Sequence, residues 1–170
     1  MTVGLLPAPA AGGTPTGTVT VRNAGMLEAR AMQLAFDAKT SGSLTVTGAG
    51  STLHLGTISA GQTFFNVGRA GTGQLDVVAG GKVLMDPANA SLASFNAFNV
   101  GGPGGANAPV TGNGVVNVTG VGSEIRQRGD FATFGVGRNG TGALNITGGG
   151  QVVMENLTGT TFSTIGRATG

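Results

Sequence analysis

The 170-residue chain contains no cysteine, no tryptophan and no tyrosine, and its one histidine is His54. Without cysteine there is no disulfide staple and no thiolate-bound zinc, although the cellular compartment stays open. Charge is scarce as well. Lys, Arg, Asp and Glu make up 9% of the residues, against about 25% in an ordinary globular domain. The net charge of +2 comes from seven arginines and two lysines against seven acids. That balance is too thin and too scattered for the clustered basic face of a nucleic-acid binder. No apolar run approaches the ~20 residues of a membrane span, so nothing reads as membrane-embedded. The opening "MTVGLLPAPAAGG" has no basic n-region and does not read as a complete signal peptide.

Glycine is plentiful, with 34 residues, but it does not fall on every third position, which excludes collagen. Disordered chains combine high charge with few β-branched residues. Here charge is low, while Val, Thr and Ile are common and suit a pleated sheet. The strongest signal is repetition. "FNVGRAGTGQLDVVAGGKVLMD" (Phe65 to Asp86) returns 69 residues later as "FGVGRNGTGALNITGGGQVVME" (Phe134 to Glu155), with 12 of 22 positions identical. A looser rule recurs five times: a glycine, apolar residues two and four positions later, and a second glycine at position eight. It gives "GTVTVRNAG", "GSLTVTGAG", "GQLDVVAGG", "GVVNVTGVG" and "GALNITGGG", starting at Gly17, Gly42, Gly73, Gly114 and Gly142. Periods of 20–50 residues are the mark of solenoids, propellers and arrays.

Each block alternates as a strand does. Val19, Leu44, Leu75, Val116 and Leu144 form one apolar column, and Val21, Val46, Val77, Val118 and Ile146 a second. Thr20, Thr45, Asp76, Asn117 and Asn145 lie between them and point the other way. A single such strand buries too little to persist. Stacked coil on coil, the columns merge into one core, at about 1.5–3 kcal/mol per buried aliphatic side chain. A second strand follows the second glycine, as in "GGKVLMD" and "GGQVVME". In "GAGSTLHL" and "GVGSEIRQ" the apolar residues reach the same face only through a one-residue bulge at the Gly-x-Gly-Ser, which glycine favours. Two coil types therefore alternate, and Glu124, Arg126 and His54 are expected to face solvent. The third strand carries Phe65-x-Val67, Phe98-x-Val100 and Phe134-x-Val136, with Leu34-x-Phe36 as an earlier version, and predicts a stack of phenylalanine rings.

Three strands and three turns in about 30 residues describe one rung of an all-β, right-handed parallel β-helix, a three-sided β-solenoid. Five rungs at ~4.8 Å make a rod of roughly 24 Å. Left-handed hexapeptide helices need shorter and more regular coils. Residues 1–16, with Pro7, Pro9 and Pro15, read as an N-terminal cap or linker, and residues 17–170 as the solenoid. One local conflict stands: "MLEARAMQLAFDA" (Met26 to Ala38) also reads as a helix, with Leu27, Ala31, Leu34 and Ala38 on one face.

"VTGAGSTL", "FNVGRAGTGQLDVVAGGKV", "VTGVGSEI" and "FGVGRNGTGALNITGGGQV" resemble the type V secretion and PEP-CTERM-associated repeats of bacterial autotransporter-like surface proteins. The resemblance runs from about Ser41 to Gly170. It implies an exported, right-handed β-helical passenger segment at the cell surface. The aromatic that often follows Gly-Ser in that pattern is replaced by Leu53 or Ile125, and neither a translocating barrel nor a sorting tail is read in the chain.

Chemistry is thin. His54 has no partner at metal spacing and no nucleophile to serve, so an outward strand position is the better reading. Arg69, Arg138 and Arg167 recur at one turn position. They could form a basic stripe for acidic glycans, but stems covering exposed core are favoured. The acids are Glu28, Asp37, Asp76, Asp86, Glu124, Asp130 and Glu155. Asp86 and Glu155 share a column two coils apart, near the upper end of the roughly 5–9.5 Å that glycosidase carboxylates need, yet they read as solvated strand ends. "VGGPGGANAPVTGNG" (Val100 to Gly114) lacks both a phosphate-loop lysine and calcium-binding aspartates. With Pro87 to Phe98 it marks where a binding loop would project. No catalytic, cofactor-binding or metal-binding residue is assigned. The chain is expected to be a structural or adhesive scaffold, not an enzyme, with self-association through its ends as the alternative role and a polysaccharide-degrading β-helix enzyme the less favoured one.

Overall fold

The computed structural model describes residues 1–3, 13–56, 62–86, 95–102, 111–155 and 159–166. Three parallel sheets wrap one core. The first face is built from β2 (Thr16–Val21), β5 (Ser41–Thr47), β8 (Thr72–Val78), β11 (Asn113–Thr119) and β14 (Thr141–Thr147). The second holds β3 (Met26–Ala29), β6 (Thr52–Leu55), β9 (Lys82–Met85), β12 (Glu124–Arg128) and β15 (Gln151–Glu155). The third has six strands: β1 (Thr2–Val3), β4 (Met32–Leu34), β7 (Thr63–Val67), β10 (Phe95–Val100), β13 (Phe131–Val136) and β16 (Phe162–Ile165). The chain visits the faces in turn, so every sheet neighbour is one coil away. This is a three-sided parallel β-helix of five coils, and its expected right-handed sense is the one favoured for crossovers between parallel strands.

The pairing follows the columns. Val19, Leu44, Leu75, Val116 and Leu144 lie directly above one another, as do Val21, Val46, Val77, Val118 and Ile146. From Leu44 to Val118 both columns are fully buried. Leu75 and Leu144 thus belong to one stack, with Leu144 packed at its margin. On the second face Leu53, Val83, Ile125 and Val152 share a column, beginning at Leu27. The one-residue slip is present at the Gly-x-Gly-Ser, where it forms the turn between the two strands. Four residues, Gly48–Ser51 and Gly120–Ser123, link β5 to β6 and β11 to β12, whereas three, Ala79–Gly81 and Gly148–Gly150, do so in the alternate coils. The extra residue is Ser51 or Ser123. Ser123 Oγ donates to Thr119 O at 2.7 Å and accepts from Gly80 N of the coil below at 3.0 Å.

The ring stack runs through Phe65, Phe98 and Phe134. Phe65 meets Phe98 edge-on at 5.1 Å, and Phe98 lies parallel to Phe134 at 4.8 Å. Its lower continuation differs from the expected one. Met32, not Leu34, pairs with Phe65, and Leu34 pairs with Val67, so the early equivalent is Met32-x-Leu34. Phe36 falls beyond the strand, after Ala35 at φ 54. The helical reading of Met26 to Ala38 also gives way, to β3 and β4. Stacking Leu27 and Ala29 under Leu53 and Leu55 overrides a weak helical propensity.

Candidate functional site

The outer surface of the second face gathers much of the protein's sparse charge. Alternation puts position 124 of β12 outward above Lys82, position 126 above Leu84, and position 128 below Glu155. Arg126 donates to Glu124 Oε1 from Nε at 2.7 Å and to Glu155 Oε1 from Nη1 at 2.6 Å. Lys82 Nζ lies 3.5 Å from Glu124 Oε2. Arg128 sits between the two acids of the expected column, with Nη1 3.4 Å from Asp86 Oδ2 and Nε 2.9 Å from Glu155 Oε2. Three cations and three carboxylates therefore neutralise one another along a ladder of adjacent coils. The Arg126 guanidinium is held above its ordinary pKa, first by the hydrogen bond to Glu124, then by that residue's charge and, more weakly, by Glu155.

This arrangement corrects one expectation. Glu124 lies on the outer face but does not point freely to solvent, because Arg126 and Lys82 close over it and leave its side chain 10% exposed. Arg126 remains partly exposed. His54 is outward, with Nδ1 4.0 Å from Glu28 Oε1 in the coil below. Asp86 and Glu155 do share a column, but an arginine fills the gap where a glycosidase would hold substrate. Among the described residues, no group of three or more His, Cys, Asp or Glu is disposed to hold a metal ion.

Arg69 lies over the Phe36 ring, its guanidinium carbon 4.1 Å from the centroid, and Nη1 donates to Phe36 O at 3.1 Å. Arg69 is thus held at its own corner by a cation–π contact and a hydrogen bond. Arg138 is half-buried, and Arg167 lies outside the described residues. The same is true of residues 87–94 and 103–110, the two candidate binding loops.

The polar column of the first face forms a side-chain ladder. Asn145 Nδ2 donates to Asn117 Oδ1 at 2.8 Å, and Asn117 Nδ2 to Asp76 Oδ1 at 2.7 Å. Gln74 Nε2 adds a bond to Asp76 Oδ2 at 2.7 Å. A second polar array lies inside the corner, where the sequence reading placed none. Gln127 points into the core between Met85 and Met154 and is fully buried. Its Nε2 lies 2.9 Å from Asn96 O, 3.2 Å from Asn96 Oδ1 and 3.2 Å from Thr133 O, while Asn96 Nδ2 donates to Arg128 O at 2.8 Å. This network ties the corner between the second and third faces. Laying "SEIRQR" against "GKVLMD" and "GQVVME" would have placed both Gln127 in the methionine column and Arg128 between the acids.

The other notable feature is the C-terminal end of the core. An apolar hollow of ≈ 250 Å³ opens there, lined by Phe134, Val136, Leu144, Ile146, Met154 and Ile165 among others. Among the described residues no helix is long and apolar enough to cross a membrane. No family model matches the chain, and no curated protein or solved structure is detectably similar to it.

Proposed function

We propose that the chain is a stiff structural or adhesive segment of a secreted bacterial cell-surface protein, a β-solenoid that holds other parts away from the cell. The observation that carries the structural part is the five-coil stack, in which inner columns run unbroken through the core. Its clustered outer charges are spent on one another. A scaffold needs axial continuity and an inert surface. An enzyme needs convergent groups left free to act on a substrate, and the ion-paired carboxylates Asp86, Glu124 and Glu155 are not free. Placement at the bacterial surface rests on the resemblance of the Gly-Arg-x-Gly-Thr-Gly turns and Gly-rich corners to autotransporter-type repeats. The test has two arms. An epitope tag next to the solenoid should be reached by antibody on intact cells, and the purified protein should release no reducing ends from a panel of extracellular polysaccharides. Turnover that vanished in variants of the seven acids would overturn the scaffold reading in favour of the enzyme.

A second reading is a self-assembling extracellular subunit joined end to end, favoured by the terminal place of β14, β15 and β16 in their sheets among the described residues. Such edges template further strand pairing.

A further inference from the structure

The outer side of the third face carries an amide ladder of its own, and that ladder stops short. Gln33, Asn66, Asn99, Gly135 and Thr164 stand one above another in the pairing of β4, β7, β10, β13 and β16. Asn99 Nδ2 donates to Asn66 Oδ1 at 2.8 Å, just as each rung of the first-face ladder donates to the rung below. The next donor would come from position 135, where the side chain is a hydrogen atom. Asn99 Oδ1 has no partner, although the residue is only 2% exposed. A buried acceptor in that state has given up water and gained nothing in return.

The gap has a shape. Gly135 is not among the glycines with positive φ. A Cβ built on it would sit 3.4 Å from Asn99 Oδ1 and 3.5 Å from both Thr164 Oγ1 and Arg138 Cβ, so a side chain could start there without a clash. Arg138 also differs from Arg69. Arg69 is engaged with Phe36, whereas Arg138 Nε is screened from solvent and has no acceptor among the described residues. An orphan acceptor and an orphan donor therefore belong to side chains that border one notch.

We propose that this notch binds a carboxamide carried by a sugar, the acetamido group of an N-acetylated hexosamine. Its N–H supplies the donor that Asn99 Oδ1 lacks, and its carbonyl accepts from Arg138 Nε. The ligand completes the ladder at the rung that Gly135 leaves out. A carboxylate or phosphate brings no donor for Asn99, and an ammonium brings no acceptor for Arg138. Because both atoms are covered, the flexible Arg138 stem swings outward to admit the group. The neighbours favour a sugar over a peptide amide as the carrier. On the same side of β13, about 13 Å along the strand, Phe131 is 46% exposed. The unpartnered Thr133 hydroxyl lies between. That strip offers a ring for the C–H face of a pyranose, then a hydroxyl, and no charge. The inference deepens the adhesive half of the proposed function and rests on that reading for its biological use, while the binding itself belongs to the purified chain.

Two-dimensional NMR of the full chain, read at the Asn99 side-chain amide and the Arg138 Nε–H, tests it. N-acetylglucosamine should shift both signals. Glucose, which lacks the acetamido group, should shift neither. Gly135→Asn supplies the missing carboxamide from within. It should keep the native circular dichroism, raise the urea midpoint and weaken N-acetylglucosamine binding by more than about tenfold. Arg138→Met should weaken binding to a similar degree, and Val121→Thr, in an exposed turn at another corner, should leave it unchanged. Four results would each overturn the inference: signals that move with neither sugar, which leaves the notch to water; equal shifts with both sugars; binding that survives Arg138→Met or a folded Gly135→Asn; or a stronger response to a glutamine-containing dipeptide, which assigns the notch to a protein partner. None of these bears on surface display, which the epitope tag reports separately.

Discussion

At the scale of single residues, the inner columns set stability and the outer face sets almost none of it. Phe98 is sandwiched between two rings with no exposed surface. Phe98→Ala should destabilise the protein by about 3–5 kcal/mol, read from the urea midpoint. Gln127 makes the sharper test, because a purely apolar core would welcome its replacement. Gln127→Leu suits the methionine column but removes the donor that serves Asn96 O and Thr133 O, and should cost about 1–3 kcal/mol. The aliphatic columns were readable in advance because each obeys a two-residue alternation anchored by a glycine. Gln127 was not, because a polar residue at an inward position breaks that alternation, and its partners Asn96 and Thr133 belong to the third strand. Arg128 escaped for a similar reason. Asp86 and Glu155 were aligned with each other, while the coil between them, with its different turn, was aligned with neither.

At the scale of the element, turns decide which face a strand presents. Gly68 has φ 73, and a Cβ there would meet Asn113 O of the next coil at 1.9 Å. Gly137 has nearly the same φ, 70, yet among the described residues the nearest atom to its would-be Cβ is Gly140 O at 3.6 Å. Gly137→Ala should therefore cost only the backbone strain, about 1–2 kcal/mol. Gly68→Ala should cost considerably more, since two coils must part. Parallel thermal melts of the two variants check the difference. Deleting Ser123 converts a four-residue turn into a three-residue one of the Ala79–Gly81 kind, which still sets Glu124 opposite Lys82. The strand should keep its faces and lose only the Ser123 hydrogen bonds to Thr119 O and Gly80 N, at about 1–3 kcal/mol. A single cooperative urea transition at a lower midpoint is the expected result. The alternation of turns was legible from the Gly-Ser corners. The helical signal in Met26 to Ala38 misled, because local periodicity carries no knowledge of what lies one coil above.

At the scale of the whole molecule, each coil touches only its neighbours, so stability is a sum of coil terms and interfaces between coils. Among the described residues the middle coil, β8 to β10, has a neighbour on each side, whereas β14 to β16 have one only. Native-state hydrogen exchange should be slowest in Thr72–Val78 and Phe95–Val100 and fastest in Thr141–Thr147 and Phe162–Ile165. Uniform protection from end to end would show a cooperative block and contradict this picture. Alternating three- and four-residue corners also carry a message about ancestry. The smallest cassette that can be copied without disturbing that alternation is a pair of windings, matching the 69-residue echo between Phe65 and Phe134. A lineage of such proteins should lengthen or shorten by whole pairs, about 9–10 Å of height at each genetic step.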